Sequence, residues 1–315
     1  MAIFTHKPVL FEETIRALQP REGKVFVDGT LGRAGHAAAL LAAGARVIGI
    51  DRDEQALEEI AAQHAQDPIF ARLTPVKGMH GDIAEIVHCA GFSAVDGILL
   101  DLGVSSPQLD EDARGFSFMR EGPLDMRMDR SQPLTAADIL RTASEEELAG
   151  IFRRFGEEPQ ARRIARALAA ARAKGIVFET TTELADFIAR TVGRHGAHHP
   201  ATRVFQALRM AVNDEFGELQ RALEGGLSLL KPGGRFAVIA FESLTDRVVK
   251  RFFAAHEGRM VSLQGGGAEW KGDLPRVQLV NRKPTSASAA ETAQNPRARS
   301  AKLRIAEMPG KEESL

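Results

Sequence analysis

The chain has 315 residues, with 41 Lys and Arg against 42 Asp and Glu, and its net charge of −1 gives no global sign of a polyanion binder. A 44% hydrophobic and 26% charged composition excludes a disordered or fibrous chain, and the single cysteine, Cys89, excludes an internal disulfide. No apolar stretch approaches a membrane span and no N-terminal run resembles a leader, so the expectation is a cytoplasmic protein of one large domain or two.

Residues 1–23 read as an N-terminal arm in which Glu12 to Leu18 has helical spacing, broken by Pro20 and Gly23; His6 reads as a surface histidine. Lys24 to Val27 then forms an apolar strand, Asp28 to Gly35 a glycine-punctuated turn, and Ala37 to Ala43 the start of an alanine-rich helix. A strand feeding a helix through such a turn brings bare backbone N–H groups and the positive end of a helix dipole to a ligand. Arg46 to Ile50 is a second strand ending on Asp51, an acid placed to accept the hydroxyls of a ribose. The glycines here, Gly29, Gly32 and Gly35, miss the G-x-G-x-x-G spacing of a dinucleotide site. Asp28 at the turn's entrance would repel a pyrophosphate but suits a cation. S-adenosylmethionine offers a sulfonium and an ammonium at that place, so Asp28 and Asp51 together point to a methyl donor.

Glu54 to His64 reads as an amphipathic helix and Thr74 to Lys77 as a short third strand, with Met79, His80 and Asp82 as candidates to cover an adenine. Val95 to Leu100 is a continuous apolar run, as a central parallel strand should be. It ends on Asp101 and continues into Ser105-Ser106-Pro107-Gln108, a loop that falls at the reactive edge of such a sheet. Asp101, Ser105 and Ser106 are therefore the catalytic candidates.

From Pro107 to His199 the strand–helix alternation stops, and helices are expected at Ser144 to Phe155, Gln160 to Lys174 and Thr182 to Val192. Ser144 with Glu147 three residues on is a capping-box signal. Arg153, Arg154, Arg162, Arg163, Arg166, Arg172 and Lys174 form a basic run that could grip phosphates. A long helix from Thr202 through Leu223, a tight Pro232-Gly233-Gly234 turn and a strand Arg235 to Phe241 resume the α/β pattern. Residues 258–295 read as loop, and the basic tail Asn295 to Ile305 as an edge strand or an RNA contact. His195, His198 and His199 lack the acids or cysteine that would complete a metal set, so no metal is expected.

The fold expected is α/β: a Rossmann-like S-adenosylmethionine-dependent methyltransferase sheet with an inserted all-helical domain. Residues 1–106 and 200–315 would form the discontinuous methyltransferase domain and 107–199 an inserted helical RNA-recognition domain.

Seven segments carry a resemblance: Asp28 to His36, Gly49 to Asp53, Asp101 to Asp110, Arg114 to Phe118, Pro123 to Asp129, His199 to Arg203 and Asn295 to Ser300. In that order they make the chain closely similar, nearly end to end, to the RsmH (MraW) family of bacterial 16S ribosomal RNA cytosine-N4 methyltransferases. The resemblance implies methyl transfer to the exocyclic N4 of a cytidine in the decoding region of 16S rRNA, with the small ribosomal subunit as partner, no membrane, and a homodimer left open. It places cofactor contacts at Ala34, Gly35, His36, Asp51, His80, Asp101 and Gln108, beside Asp28 from the reading above. Two positions depart from the family: an aromatic residue usually stands where His80 is, and a histidine where Glu242 is. The rival readings are a DNA or other RNA amino-methyltransferase, an NAD-dependent oxidoreductase, and a non-catalytic RNA-binding module.

Overall fold

The structure is a computed structural model and describes residues 8–193, 199–263, 265–273 and 276–310, so His6, His195 and His198 lie outside it. The chain divides into two compact units, residues 1–103 with 217–315, and residues 104–216.

The first unit begins with α1 (Phe11–Leu18), β1 (Val25–Asp28), α2 (Gly35–Ala42), β2 (Arg46–Asp51) and α3 (Glu54–His64). β3 (Leu73–Lys77), a 3₁₀ turn His80–Asp82, α4 (Ile83–Cys89) and β4 (Val95–Asp101) follow. β1 to β4 are parallel, and neighbours run in the order β3-β2-β1-β4. Successive residues of a strand face opposite sides of the sheet. Val25, Val27, Ile98 and Leu100 accordingly join one buried cluster, whereas Phe26 and Leu99 join the other. Helices cover both faces, which is why the central strands are mostly apolar, whereas β3 at the edge is partly exposed and mixed.

The second unit holds α5 (Ser106–Asp110), α6 (Ala136–Thr142), α7 (Glu145–Gly156), α8 (Ala161–Ala173), α9 (Thr181–Val192) and α10 (Thr202–Val212). The Ser144 capping box closes as expected, with Ser144 N donating to Glu147 Oε2 (2.7 Å) and Glu147 N to Ser144 Oγ (3.2 Å). The helix expected from Thr182 starts a residue earlier, at Thr181, because Thr180 and Glu183 supply its cap.

α11 (Glu215–Leu229), β5 (Leu230–Ala240) and α12 (Ser243–Glu257) return the chain to the sheet. They are followed by β6 (Arg259–Ser262), β7 (Ala268–Lys271), β8 (Gln278–Leu279), β9 (Thr285–Ser286), α13 (Ala289–Gln294) and β10 (Lys302–Glu307). β5 pairs parallel with β4, and β10 lies antiparallel on β5. The result is the Rossmann-like sheet the sequence pattern implies.

Several expectations are corrected. The helical insertion does not end at residue 199. Val204, Phe205, Ala207, Leu208 and Val212 of α10 are buried in one cluster with Leu148 and Phe152 of α7, so the second unit runs to 216 and starts at 104. The long helix is two helices. Asn213, 2% exposed, turns its side chain onto Met128 N (2.8 Å) and Met126 O (2.8 Å), and Asp214 takes a left-handed φ of 47° between α10 and α11. Pro232-Gly233-Gly234 is no separate turn but an irregularity inside β5, where the register with β4 jumps between Val95 and Gly97. Residues 258–295 hold a hairpin, two short strands and a helix rather than loop alone. The basic tail is an interior strand, flanked by β5 on one side and by β8 and β9 on the other.

Candidate functional site

In the order β3-β2-β1-β4-β5 the chain builds outward in one direction from β1 and then in the other from β4. The crevice outside the carboxyl ends of β1 and β4 is where ligands bind such sheets. Asp28 ends β1 and Asp101 ends β4, on adjacent strands, with Asp101 two residues beyond Leu99, the register partner of Asp28. Thr30, which the sequence reading passed over, links them: its N donates to Asp28 Oδ1 (3.2 Å) and its Oγ1 accepts from Asp101 N (2.6 Å).

Both carboxyls are perturbed. Asp28 is 2% exposed, and burial, with Asp51 nearby as a like charge, pushes its pKa up to about 7. Asp101 is likewise pushed up to about 7, by burial first and then by Asp28. Asp101 Oδ1 is buried and accepts no hydrogen bond among the described residues. Two desolvated acids, one with an unbonded oxygen, fit a ligand that brings positive charge. The sulfonium and ammonium of S-adenosylmethionine have that chemistry.

The turn between β1 and α2 supplies the rest of this wall. Leu31 N is held by Ile50 O (2.9 Å), and α2 starts from Ala34, buried and left-handed (φ 59°), with no side-chain cap. An uncapped first turn leaves N–H donors and the positive dipole end for a ligand. Gly35 must be glycine, because a Cβ there would sit 2.4 Å from the Pro8 ring. His36 follows, buried, stacked on Phe11 (5.9 Å between ring centroids) and bonded to the Val9 backbone. Burial lowers its pKa to about 4, so its 3.8 Å approach to Asp101 is a contact of a neutral imidazole and not an ion pair at pH 7.

Asp51 sits where the sequence puts it, at the end of β2, and has a further task. Its Oδ2 accepts from Gly32 N (2.7 Å) and its Oδ1 from Asp53 N (2.8 Å), so it ties the glycine turn to the exit of β2. Each oxygen keeps one lone pair for a hydroxyl. His80 lies beyond β3 in the 3₁₀ turn, close enough to Gly29 that a Cβ on that glycine would be 3.5 Å from the His80 Cβ. Its Nε2 is buried without a hydrogen-bond partner among the described residues. Burial, and behind it the charges of Arg52 and Arg221, drive its pKa down to about 3, so the ring is a neutral plate.

What holds that plate was not read from the sequence. Glu218 of α11, 1% exposed, accepts from Gly81 N (2.9 Å), is hydrogen-bonded by Arg221 and lies 3.9 Å from Arg52. An acid beside the inward-facing Leu219 was the available signal.

Ser105, Ser106 and Gln108 belong to the other unit. Ser105 is the N-cap of α5, its Oγ accepting from Gln108 N (3.4 Å) while Gln108 Oε1 accepts from Ser105 N (3.1 Å). Gln108 is buried. Ser106 opens the helix, and its side chain lies outside the described residues. In the basic run, Arg172 is not a free cation: its Nη1 donates to Leu140 O, Arg141 O and Ala143 O (3.0, 3.0 and 2.8 Å), closing the C-terminus of α6. Arg153, Arg154, Arg162, Arg163 and Arg166 are exposed on α7 and α8. The His199 ring packs against Phe118 at a tilt of 36° (4.9 Å between centroids), with its Nδ1 accepting from Ala201 N (3.2 Å). Among the described residues no group of three His, Cys, Asp or Glu could hold a metal ion, and no helix is long and apolar enough to cross a membrane.

Residues 3–309 match the family model of the MraW methylase family. The chain is 47% identical over 313 residues to a protein of Maricaulis maris called ribosomal RNA small subunit methyltransferase H, covering 97% of this chain and 92% of the relative. It is 49% identical over 311 residues to the protein of the same name from Magnetococcus marinus, covering 96% and 98%. Among solved structures, an rRNA methylase from Streptococcus thermophilus aligns over 97% of this chain and 99% of that one, at a TM-score of 0.42 and 11% identity.

Proposed function

Because the chain belongs to the MraW methylase family, we propose that it transfers a methyl group to the exocyclic N4 of a cytidine in the decoding region of 16S ribosomal RNA. The methyl donor of such a methylase is S-adenosylmethionine. The relatives named for the ribosomal RNA small subunit support the substrate class. The observation that carries the reading is the pair of carboxyls at the switch point of the sheet, Asp28 buried and Asp101 with its Oδ1 buried and unbonded among the described residues. An exposed cysteine and a substrate made in the cytoplasm fit a cytoplasmic enzyme.

The donor supplies an electrophilic methyl. Asp28 and Asp101 compensate its positive charge, Ala34, Gly35 and His36 wall its amino-acid end, Asp51 accepts from the ribose, and His80 covers the adenine. Cytosine N4 is a poor nucleophile because its lone pair is delocalised into the ring. Holding it in line with the methyl removes several kcal/mol of barrier, on the order of 7 or more in the best-oriented reactions. As N4 turns pyramidal, an acceptor must take a hydrogen bond from it and then a proton. Asp101 has the pKa for that task, about 7, and the free Oδ1. Ser105, Ser106 and Gln108 stand further along the chain from it as residues of the loop leaving β4, with Ser105 and Gln108 fixing that loop by their mutual cap. The target base has to be extruded or single-stranded to reach the strand ends. The exposed arginines of α7 and α8 are proposed to hold its phosphates, which makes the helical unit the RNA-recognition domain.

Mass mapping of modified nucleotides in small-subunit RNA, with and without the protein, tests the reading. One added methyl on a decoding-region cytidine base is the expected result. Methyl transfer to DNA alone, or none with donor bound, would refute it.

A further inference from the structure

A carboxylate buried as deeply as Glu218, 1% exposed, is costly unless it is paired and hydrogen-bonded. Three groups satisfy it. Gly81 N donates to its Oε2 (2.9 Å), Arg221, three residues on along α11, donates to its Oε1, and the buried Arg52 guanidinium lies 3.9 Å from Oε2. Two of the three come from the donor crevice. Arg52 directly follows Asp51, and Gly81 directly follows His80. One side chain of α11 therefore reaches both the neighbour of the proposed ribose acceptor and the neighbour of the proposed adenine cover.

The strand ladder brings these walls together only part of the way. Asp51 and Lys77 are register partners at the ends of β2 and β3, and Gly78 N donates to Asp51 O (2.9 Å). His80 lies two residues beyond that bond, in the 3₁₀ turn. From there the tie to the exit of β2 runs through α11, which has a rigid footing. Leu219, Ala222 and Leu223 are buried in one cluster with Ile48 and Ile50 of β2 and Ile83 of α4. The helix lies close on the sheet, since a Cβ on Gly226 would stand 2.7 Å from the Phe236 ring. The turn meets the carboxylate as closely as glycine permits: a Cβ on Gly81 would be 2.5 Å from Glu218 Oε2 and 3.1 Å from Arg221 Nε.

We infer that Glu218 is a positioning residue for the nucleoside half of the methyl donor: acting through Gly81 and Arg52, it fixes the separation of His80 from Asp51. The inference rests on the proposed roles of those two residues and adds the group that sets their spacing. A pocket whose walls are held in place before the ligand arrives spends less of its binding free energy on ordering them. Loosening the tie therefore weakens every ligand that carries the adenosine moiety, whatever its charge at sulfur. That sets Glu218 apart from Asp101, whose carboxyl answers to the sulfonium.

Two variants disturb the tie from opposite sides. Glu218→Gln keeps an acceptor for Gly81 N and removes the charge that faces the arginines, while Gly81→Ala drives a Cβ into the carboxylate. Dissociation constants for S-adenosylmethionine and for adenosine, which has neither sulfonium nor amino acid, are measured by calorimetry on variants whose circular dichroism matches the unaltered protein. Either variant alone suffices, so a folding failure of one leaves the other to decide. The expected result is that both ligands weaken by the same factor, on the order of tenfold. Asp101→Asn, measured beside them, should weaken S-adenosylmethionine and spare adenosine. A folded variant that binds both ligands as the unaltered protein does would overturn the inference while leaving the proposed function standing. Weakened S-adenosylmethionine with adenosine unchanged would also overturn it, because the effect would then lie at the sulfonium end. Binding of neither ligand by the unaltered protein would overturn the proposed function with it.

Discussion

Asp101→Asn separates the two tasks that burial imposes on the carboxyl edge. The amide keeps the shape, and the Asp101 N–H still donates to Thr30 Oγ1, so only the charge is removed. Asp101 is pushed from 3.8 to about 7 by burial and by Asp28. A group whose folded pKa is raised gives stability that is fully present below its unfolded value, near pH 4, and lost as pH rises through the folded value, near 7. The full shift corresponds to about 4 kcal/mol at about 1.4 kcal/mol per unit. Because the side chain is 24% exposed, solvent screening reduces this to about 3 kcal/mol. His36 and His80, with pKa values lowered to about 4 and about 3, act in the opposite sense between pH 4 and 6.5, so the parent's own profile mixes the two. The difference between variant and parent cancels the histidines. Without donor, Asp101→Asn should melt at the parent's temperature or below near pH 4. It should gain as pH rises and level off above pH 7 at several degrees higher, by roughly 2–4 °C per kcal/mol. In calorimetry the same variant should bind S-adenosylmethionine at least tenfold more weakly at pH 8. A variant melting below the parent at pH 8, or binding donor normally, would refute the assignment of this carboxyl as an unmet charge.

Asp51→Ala removes both the ribose acceptor and the bonds to Gly32 N and Asp53 N, so donor dissociation constants should rise by more than tenfold, read by calorimetry, with the fold retained by circular dichroism. Gly35→Ala drives a Cβ against Pro8 and should cost about 1–3 kcal/mol of overpacking, seen as a lower melting temperature and several-fold weaker donor binding. Arg172→Ala uncaps α6 and should cost about 1–3 kcal/mol. Because that arginine's charge is directed at carbonyls, the variant's RNA-binding salt slope should match the parent's.

The strands were legible because a parallel strand buried on both faces has to be largely apolar, as Ile98 to Leu100 are; Asp96, near the start of β4, is the exception and is held by Lys24 and Lys231. Asp28, Asp51 and Asp101 were legible because each ends such a run, and ligands meet these sheets at strand ends. The break between α10 and α11 was hidden, since the partner that unwinds it, Met128, lies 85 residues earlier in the chain. Glu218 was hidden for the same reason, its bond to Gly81 spanning 137 residues. Arg172 looked like its neighbours on α8, and only the helix end opposite it makes that charge structural. Contacts local in sequence could be read; those closed by tertiary folding could not.

On the proposed chemistry, the same two carboxyls decide how donor and product are told apart. Near pH 7 Asp28 and Asp101, each with a pKa of about 7, are only partly ionised. A bound cation lowers both pKa values, and protons leave as it binds. Methyl transfer removes the positive charge from sulfur and releases one proton from the N4 amine. The carboxyl edge is then again desolvated and under-compensated, and Asp101, with Oδ1 unbonded, can take that proton. Protonation of the acid and neutralisation of sulfur both weaken the hold on the thioether product, so the raised pKa values favour its exit, while fresh donor has to displace those protons to bind. Isothermal titrations in two buffers of different ionisation enthalpy should show proton release when S-adenosylmethionine binds at pH 7, and less of it for the thioether product. Equal proton release for the two ligands would mean that the carboxyls do not sense the sulfonium.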